Sequence, residues 1–129
     1  MRRAFQAFLA LFGVIVIAIS LAHLAIGPNA IIGGSAVNPT SDGEDRFYAG
    51  IFLCYGVALL WCARDVARKR LFVIFLAAVT FVGGIGRLLS VILVGPPHPF
   101  YLAMLAIELG LPPLVVLMAK RVTDPSHAR

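Results

Sequence analysis

The chain has 129 residues, of which 60% are hydrophobic and 13% charged, and its mean hydropathy is +0.95. A soluble domain of this size cannot cover so much apolar surface, so the composition excludes an ordinary soluble fold and indicates an integral membrane protein. The net charge of +5 would suit a nucleic-acid-binding protein. However, the lysines and arginines gather at the chain ends and in one short connection, with no basic face, which excludes that class.

Four apolar stretches can cross a hydrocarbon core of roughly 30 Å as helices, at about 1.5 Å per residue. The sequence therefore predicts an all-α fold, in which one membrane domain forms a bundle of four transmembrane helices. The predicted spans are residues 4–27, 46–63, 71–94 and 100–119. Arg2 and Arg3 ahead of an apolar run also resemble a cleavable signal peptide. The length of that run and the three further spans favour a retained helix.

The connections between the predicted spans differ in chemistry. Residues 28–45 form the one long connection and are rich in Gly, Pro, Asn, Ser and acidic residues. Ser41-Asp42-Gly43-Glu44 fits a capping box that starts the second span near Arg46. A Pro-rich turn at 95–99 joins the last two spans, and Pro112-Pro113 is expected to kink the fourth.

The distribution of positive charge predicts the orientation of these spans. Nine of the eleven Lys and Arg residues fall at the termini or in the connection 64–70, whereas Arg46 borders the opposite side and Arg87 lies inside a span. Cytoplasmic segments of membrane proteins are enriched in Lys and Arg. Both termini and residues 64–70 are therefore predicted to be cytoplasmic, with the outer loop 28–45 on the other side of the membrane.

Arg87 and Glu108 are the strongest functional signals, because ionisable residues inside a bilayer are energetically unfavourable. Arg87 precedes Val94 by seven residues and Glu108 follows Phe100 by eight, so both lie roughly 10–12 Å below the outer boundary on neighbouring antiparallel helices. We expect them to meet. The pair can fix the packing of the last hairpin, or it can also line a water-accessible cavity and contact a ligand, and the sequence leaves both open.

Small residues near Arg87 predict close helix packing. Gly83, Gly84 and Ser90 lie three or four positions from Arg87 and would let another backbone approach. Gly83-Gly84-Ile85-Gly86 is not a dinucleotide-binding fingerprint, because the strand-turn-helix context and the glycine spacing are absent.

Further polar residues fall in the predicted outer half, while the inner half is nearly all apolar. This asymmetry predicts a polar pocket that opens outward, formed by His23, Glu44, Arg46, Tyr48, Arg87 and Glu108. His23 is either a hydrogen-bonded packing residue or a proton relay or ligand contact. Arg46 and Tyr48 are also typical interface anchors, and Glu44 a helix cap. No residue stands at a metal-binding spacing from His23, and no cofactor motif is recognisable, so neither a metal nor a cofactor is indicated.

Three motifs together carry a resemblance that covers essentially the whole chain: Ser41-Asp42-Gly43-Glu44-Asp45-Arg46-Phe47-Tyr48-Ala49-Gly50, Gly83-Gly84-Ile85-Gly86-Arg87 and Glu108-Leu109-Gly110-Leu111-Pro112. The sequence resembles a bacterial family of small four-helix membrane proteins known only as a domain of unknown function. The resemblance implies that Glu44, Arg46, Arg87 and Glu108 are family-pattern positions, and it implies no activity. A more distant likeness to DoxX-like four-helix membrane proteins rests on architecture alone.

These features favour a non-enzymatic membrane protein that binds a small amphipathic ligand, a lipid or a partner membrane protein through the outer pocket. A small proton-coupled transporter, in which Glu108 titrates, is the alternative, as is an accessory protein of a membrane oxidoreductase. An enzyme is disfavoured because no nucleophile, metal set or cofactor motif is found. The expected partners are membrane lipids and a partner membrane protein or further copies of the chain, and not nucleic acid.

Overall fold

Four long α-helices account for most of the computed structural model, which describes residues 1–34 and 36–123. The helices are α1 (Arg2–Ile26), α2 (Pro39–Arg64), α3 (Arg70–Val94) and α4 (Pro99–Thr123), and a 3-10 turn (Gly27–Ala30) follows α1. The described residues include no β-strand. The predicted all-α class is therefore confirmed.

Each helix is long and apolar enough to cross a membrane. The most apolar windows of the four helices have mean hydropathies of 1.5 to 2.6, yet only 17% to 28% of each window is buried inside the protein. Large apolar side chains such as Leu11, Phe52, Phe75 and Leu93 are exposed. Water would disfavour such a surface, whereas lipid tails solvate it. Four candidate membrane spans thus confirm the multi-pass prediction, and the orientation of the termini stays a prediction.

The chain divides into two compact units, each of which is a helical hairpin. Residues 3–64 form the first hairpin, which contains α1 and α2. Residues 65–123, together with Met1 and Arg2, form the second hairpin, which contains α3 and α4.

The start of α2 differs from the sequence prediction. The helix begins at Pro39 rather than near Arg46, and the residue that caps it is Asn38 rather than Ser41. The Ser41 backbone N–H donates to Oδ1 of Asn38 (3.0 Å), and the Asn38 N–H donates to Oγ of Ser41 (3.1 Å). This is a reciprocal capping box three residues earlier than predicted, with Pro39 at the first helical position. The connection between α1 and α2 is consequently shorter than predicted, and its acidic residues lie on a helix.

Two glycines allow close contact between the helices of the first hairpin. A Cβ atom on Gly13 would lie 2.9 Å from the carbonyl oxygen of Gly56, and one on Gly56 would lie 2.7 Å from Cγ1 of Ile17. The backbones of α1 and α2 therefore approach each other where neither position carries a side chain, as is common between membrane helices.

The second hairpin has one corresponding point of close approach. A Cβ on Gly84 of α3 would lie 3.0 Å from Cβ and 3.2 Å from the carbonyl carbon of Glu108 on α4. Helix α4 passes through Pro112 and Pro113 without ending. Because proline has no N–H, the carbonyls of Glu108 and Leu109 cannot accept the usual helical bond from the residue four positions on.

Candidate functional site

Arg87 and Glu108 form the ion pair that their matched depth predicts. Nε of Arg87 donates to Oε2 of Glu108 at 2.7 Å, and Nη2 donates to Oε1 at 2.8 Å. Two parallel bonds between a guanidinium and a carboxylate fix the geometry of both groups and are among the stronger hydrogen bonds in proteins. The pair joins α3 to α4 within two candidate membrane spans.

The Arg87 side chain has further contacts and an open side. Its Cζ atom lies 5.5 Å from the centroid of the Tyr101 ring, one of the positions in which an aromatic face attracts a cation. The bonds to Glu108 occupy two of the five N–H donors of a guanidinium. The Arg87 side chain is 33% exposed and the Glu108 side chain 16%. The arginine can thus bind another acceptor while it keeps its carboxylate partner.

Gly84 brings the two helices together at this ion pair. It is buried one turn before Arg87, and its missing side chain leaves room for the backbone of Glu108. The expectation for the other small residues is wrong. A Cβ on Gly83 or Gly86 would meet nothing within 4 Å, and Ser90 is exposed. Only one face of α3 contacts α4, and Gly84 lies on that face.

His23 and Asp45 form a second polar contact, in the first hairpin. Nδ1 of His23 lies 3.0 Å from both carboxylate oxygens of Asp45, and the side chains are 22% and 15% exposed. His23 is in the last turn of α1, and Asp45 is in the second turn of α2. His23 is therefore in contact with Asp45, a partner that the sequence did not identify, and its roles in packing and in proton relay both stay predictions.

Arg46 joins the same two helix ends. Its Nε donates to Oδ2 of Asp42 at 2.9 Å and its Nη2 to Oδ1 at 3.1 Å, and its Nη1 donates to the backbone carbonyl of Leu24. The last carbonyls of an α-helix lack an intrahelical donor, so Arg46 caps the C-terminus of α1. Asn29 contributes to the same end, because its Nδ2 donates to the carbonyl of Ile26 at 3.1 Å.

Gly27 lies against the Arg46–Asp42 pair. Its φ angle is +58°, and a Cβ at this position would lie 2.4 Å from Oδ1 of Asp42 and 3.2 Å from Nη2 of Arg46. The left-handed backbone ends α1, as glycine commonly does after a helix. Both the backbone conformation and the available space therefore require glycine here.

The two remaining predicted pocket residues are placed differently. Glu44 and Tyr48 are on α2 and are exposed, and Tyr48 packs edge-on against Phe47 with 5.5 Å between the ring centroids. The structure thus brings His23 and Arg46 to one end of the first hairpin, and Arg87 and Glu108 together in the second. A single pocket that combines all six residues stays a prediction.

Four residues of these contacts lie outside the predicted pocket set: Asp42, Asp45, Gly27 and Tyr101. Asp42 lies four positions before Arg46, a spacing that pairs side chains on one helix face. The sequence analysis placed Asp42 in a capping box and not as the partner of Arg46. Asp45 is 22 positions from His23, and no local spacing connects them.

No group of three or more His, Cys, Asp or Glu side chains that could hold a metal ion occurs among the residues that the structure describes.

A family model described as "Domain of unknown function (DUF4345)" matches residues 4–119 of the chain. The match spans all four helices and both ion-paired sets of residues. The comparisons with curated proteins and with solved structures give no match.

Proposed function

Because the chain belongs to the family described as a domain of unknown function (DUF4345), we propose a function from its own residues: a non-enzymatic membrane protein that binds the polar headgroup of a small amphipathic molecule. The headgroup binds at Arg87, while the apolar part of the molecule lies against lipid-facing surface. The proposed location is a bacterial inner membrane, with both termini in the cytoplasm.

The observation that carries this proposal is the open side of a paired arginine in the middle of a helix. Glu108 balances the charge of Arg87 but uses only two of its five donors, and a third of the side chain is exposed. Lipid tails offer no acceptors, so the remaining N–H groups favour an oxygen-bearing ligand at this depth. The Arg87–Glu108 pair has no net charge, so the ligand does not need a full negative charge.

No capping role accounts for Arg87 and Glu108. Arg87 lies well before the end of α3 at Val94, and Glu108 well after the start of α4 at Pro99. Pro112 and Pro113 leave the carbonyls of Glu108 and Leu109 without their usual helical donors. Arg87 nevertheless donates to the carboxylate of Glu108, whereas Arg46 donates to a backbone carbonyl in the last turn of α1. The bonds of Arg87 to Glu108 run from side chain to side chain. Intramembrane charges of this kind commonly mark functional sites.

A charge-swap experiment tests the proposal. The variants are Arg87→Gln, Glu108→Gln and the double change Arg87→Glu with Glu108→Arg, and Arg121→Gln is a control that removes a charge at the exposed end of α4. Each is purified gently, its thermal unfolding is measured, and native mass spectrometry records small-molecule adducts. The single variants are expected to lose both stability and adduct. The swap variant is expected to regain stability but not the adduct, because the guanidinium N–H donors then project from α4 instead of α3.

If the swap restores both stability and the adduct, the position of the arginine is irrelevant and the proposal is wrong. A wild-type protein that carries no small-molecule adduct would also contradict it.

The His23–Asp45 contact favours a second candidate, a small proton-coupled transporter. A histidine in contact with a carboxylate within a membrane segment is a side-chain combination that proton-coupled carriers use. In proteoliposomes with a pH-sensitive dye, this candidate predicts proton uptake under an imposed potential that falls in His23→Gln. Equal uptake in wild-type, His23→Gln and protein-free vesicles would exclude it.

A further inference from the structure

The first hairpin has a groove at the end opposite to His23 and Arg46. It has a volume of about 520 Å³ and lies between the start of α1 and the end of α2, lined by Gln6, Ala7, Ala10, Leu60, Ala63 and Arg64. The groove is shallow and open along one side, so a molecule that binds in it also contacts the surrounding lipid. The proposed Arg87 site is in the other hairpin, so this groove requires a separate explanation.

The groove is polar at one end and apolar along its length. Gln6 and Arg64 lie at its polar end, where Nε2 of Gln6 donates to the backbone carbonyl of Arg64 at 3.3 Å. Ala7, Ala10 and Leu60 continue the groove toward the middle of the helices. The lining covers about one turn of each helix, and its alanine side chains are small. Polar and apolar lining residues side by side suit the junction between the polar head and the apolar tail of an amphipathic molecule.

Positive charge is concentrated at the polar end. Arg64 is exposed and is part of the lining. Arg3 is exposed and lies one turn before Gln6 and Ala7, on the same face of α1. Helix α1 contains no acidic residue, and the last acidic residue of α2 before Arg64 is Asp45 in its second turn. The groove therefore favours an anionic headgroup.

The acidic residue that follows Arg64 is itself paired. A carboxylate oxygen of Asp65 lies 3.4 Å from Nη2 of Arg2, and the other lies 3.6 Å from Nε of Arg68. Two arginines thus offset the one carboxylate that is adjacent to Arg64 in the sequence. Arg68, Lys69 and Arg70 follow within six positions of Arg64, so the local sequence stays strongly basic.

We propose that this groove is a binding site for an anionic phospholipid, with the phosphate at Arg3 and Arg64 and one acyl chain along Ala7, Ala10 and Leu60. The charge at the polar end selects a lipid with net negative charge over a zwitterionic lipid of the same chain length. The apolar lining residues contact the acyl chain. Arginine suits this role because its planar donors match phosphate oxygens.

Native mass spectrometry of the full chain tests the site with two probes, dioleoyl phosphatidylglycerol and dioleoyl phosphatidylcholine. The wild-type protein is expected to retain more phosphatidylglycerol at equal lipid concentration. Arg3→Gln and Arg64→Gln are each expected to weaken phosphatidylglycerol binding about fivefold, from the typical contribution of one basic residue near an anionic headgroup. Arg121→Gln removes the same charge at the end of α4 and is expected to leave binding unchanged.

A second pair of variants tests the groove independently of charge. Ala7→Leu fills the groove and is expected to reduce the retention of both lipids. Ala18→Leu adds the same side chain at another exposed position of α1 and should retain both at wild-type level. Thermal unfolding of each variant shows that it remains folded. The arginines are exposed, so their replacement gives a result even where Ala7→Leu fails to fold.

Three outcomes would overturn the proposal. In the first, wild-type protein retains both lipids equally. In the second, Arg3→Gln, Arg64→Gln and Ala7→Leu all retain phosphatidylglycerol like wild type. In the third, the groove variants change the fraction of dimer and not the number of bound lipids, which would assign the groove to a second copy of the chain.

Discussion

The two hairpins use charged side chains for different purposes. In the first, Arg46 and His23 connect the last turn of α1 to the first turns of α2, and Arg46 donates to a free backbone carbonyl. In the second, Arg87 and Glu108 bind each other within helix interiors, and both bonds run from side chain to side chain. The comparison teaches that a polar residue in a membrane helix indicates a function mainly when capping of the local backbone does not account for its hydrogen bonds.

The glycine contacts also differ between the two hairpins, in their distance from the polar contacts. The glycine contact of the first hairpin, Gly13 with Gly56, lies ten residues before His23 on α1, about 15 Å along the helix. The glycine contact of the second hairpin involves Gly84, one turn from Arg87, and it contacts Glu108 itself. Packing and polar contacts are thus separate in the first hairpin and coincide in the second.

The largest expected effect comes from leaving one charge of the second hairpin without its partner. Arg87→Met or Glu108→Leu alone should lower the free energy of unfolding by about 2–4 kcal/mol, somewhat less than for a fully buried pair that loses one member, because Arg87 is partly exposed. The double variant should be more stable than either single one, because no charge remains in the membrane. Denaturant unfolding in mixed micelles measures all three. Single and double variants of equal stability would show that the pair is not coupled.

Gly27→Ala should have the next largest effect, on the first hairpin. The new Cβ would be strained at a φ of +58° and would collide with Oδ1 of Asp42, so we expect a loss of about 1–3 kcal/mol. Gly43→Ala is the control, since that helical position meets nothing within 4 Å and alanine favours a helix. Equal unfolding midpoints for the two variants would contradict the placement of Gly27 against the Arg46–Asp42 pair.

Gly84→Ala should destabilise the second hairpin by about 1–2 kcal/mol, because a Cβ 3.0 Å from Cβ of Glu108 forces α3 and α4 apart. The same change should reduce ligand binding at Arg87, since it moves the carboxylate partner. Gly83→Ala, on an open face of the same helix, serves as the control and should affect neither property. A Gly84→Ala protein with wild-type stability would mean that the helices do not meet at this position.

Arg46→Lys should have the smallest effect, a loss of about 0.5–1.5 kcal/mol. A lysine keeps the charge but cannot donate to both oxygens of Asp42 and to the carbonyl of Leu24 in one planar arrangement. Hydrogen exchange of the last turn of α1 is expected to quicken, because that turn loses its cap. Unchanged exchange there would assign the stability loss to another part of the chain.

The sequence predicted the helices and the second hairpin's ion pair for physical reasons. Long apolar runs have few alternatives to membrane helices, and the helical rise placed Arg87 and Glu108 at one depth. The first hairpin was harder to predict. Asn38 begins α2 through a reciprocal bond with Ser41 that composition does not reveal. Asp42 and Asp45 were therefore placed at the very start of the helix and not as partners of Arg46 and His23. The His23–Asp45 contact depends on how two helix ends meet, which no local spacing encodes.

The most direct test of the central claim uses the double variant with Arg87→Met and Glu108→Leu. This change removes the polar groups of both side chains and leaves no unpaired charge. A loss of ligand binding can therefore be distinguished from a loss of folding. Native mass spectrometry of the gently purified protein should show the small amphipathic adduct on wild type and on Arg46→Lys, and its loss from the folded double variant. If the folded double variant keeps the adduct, the ligand does not bind at Arg87 and Glu108, and the pair serves packing alone.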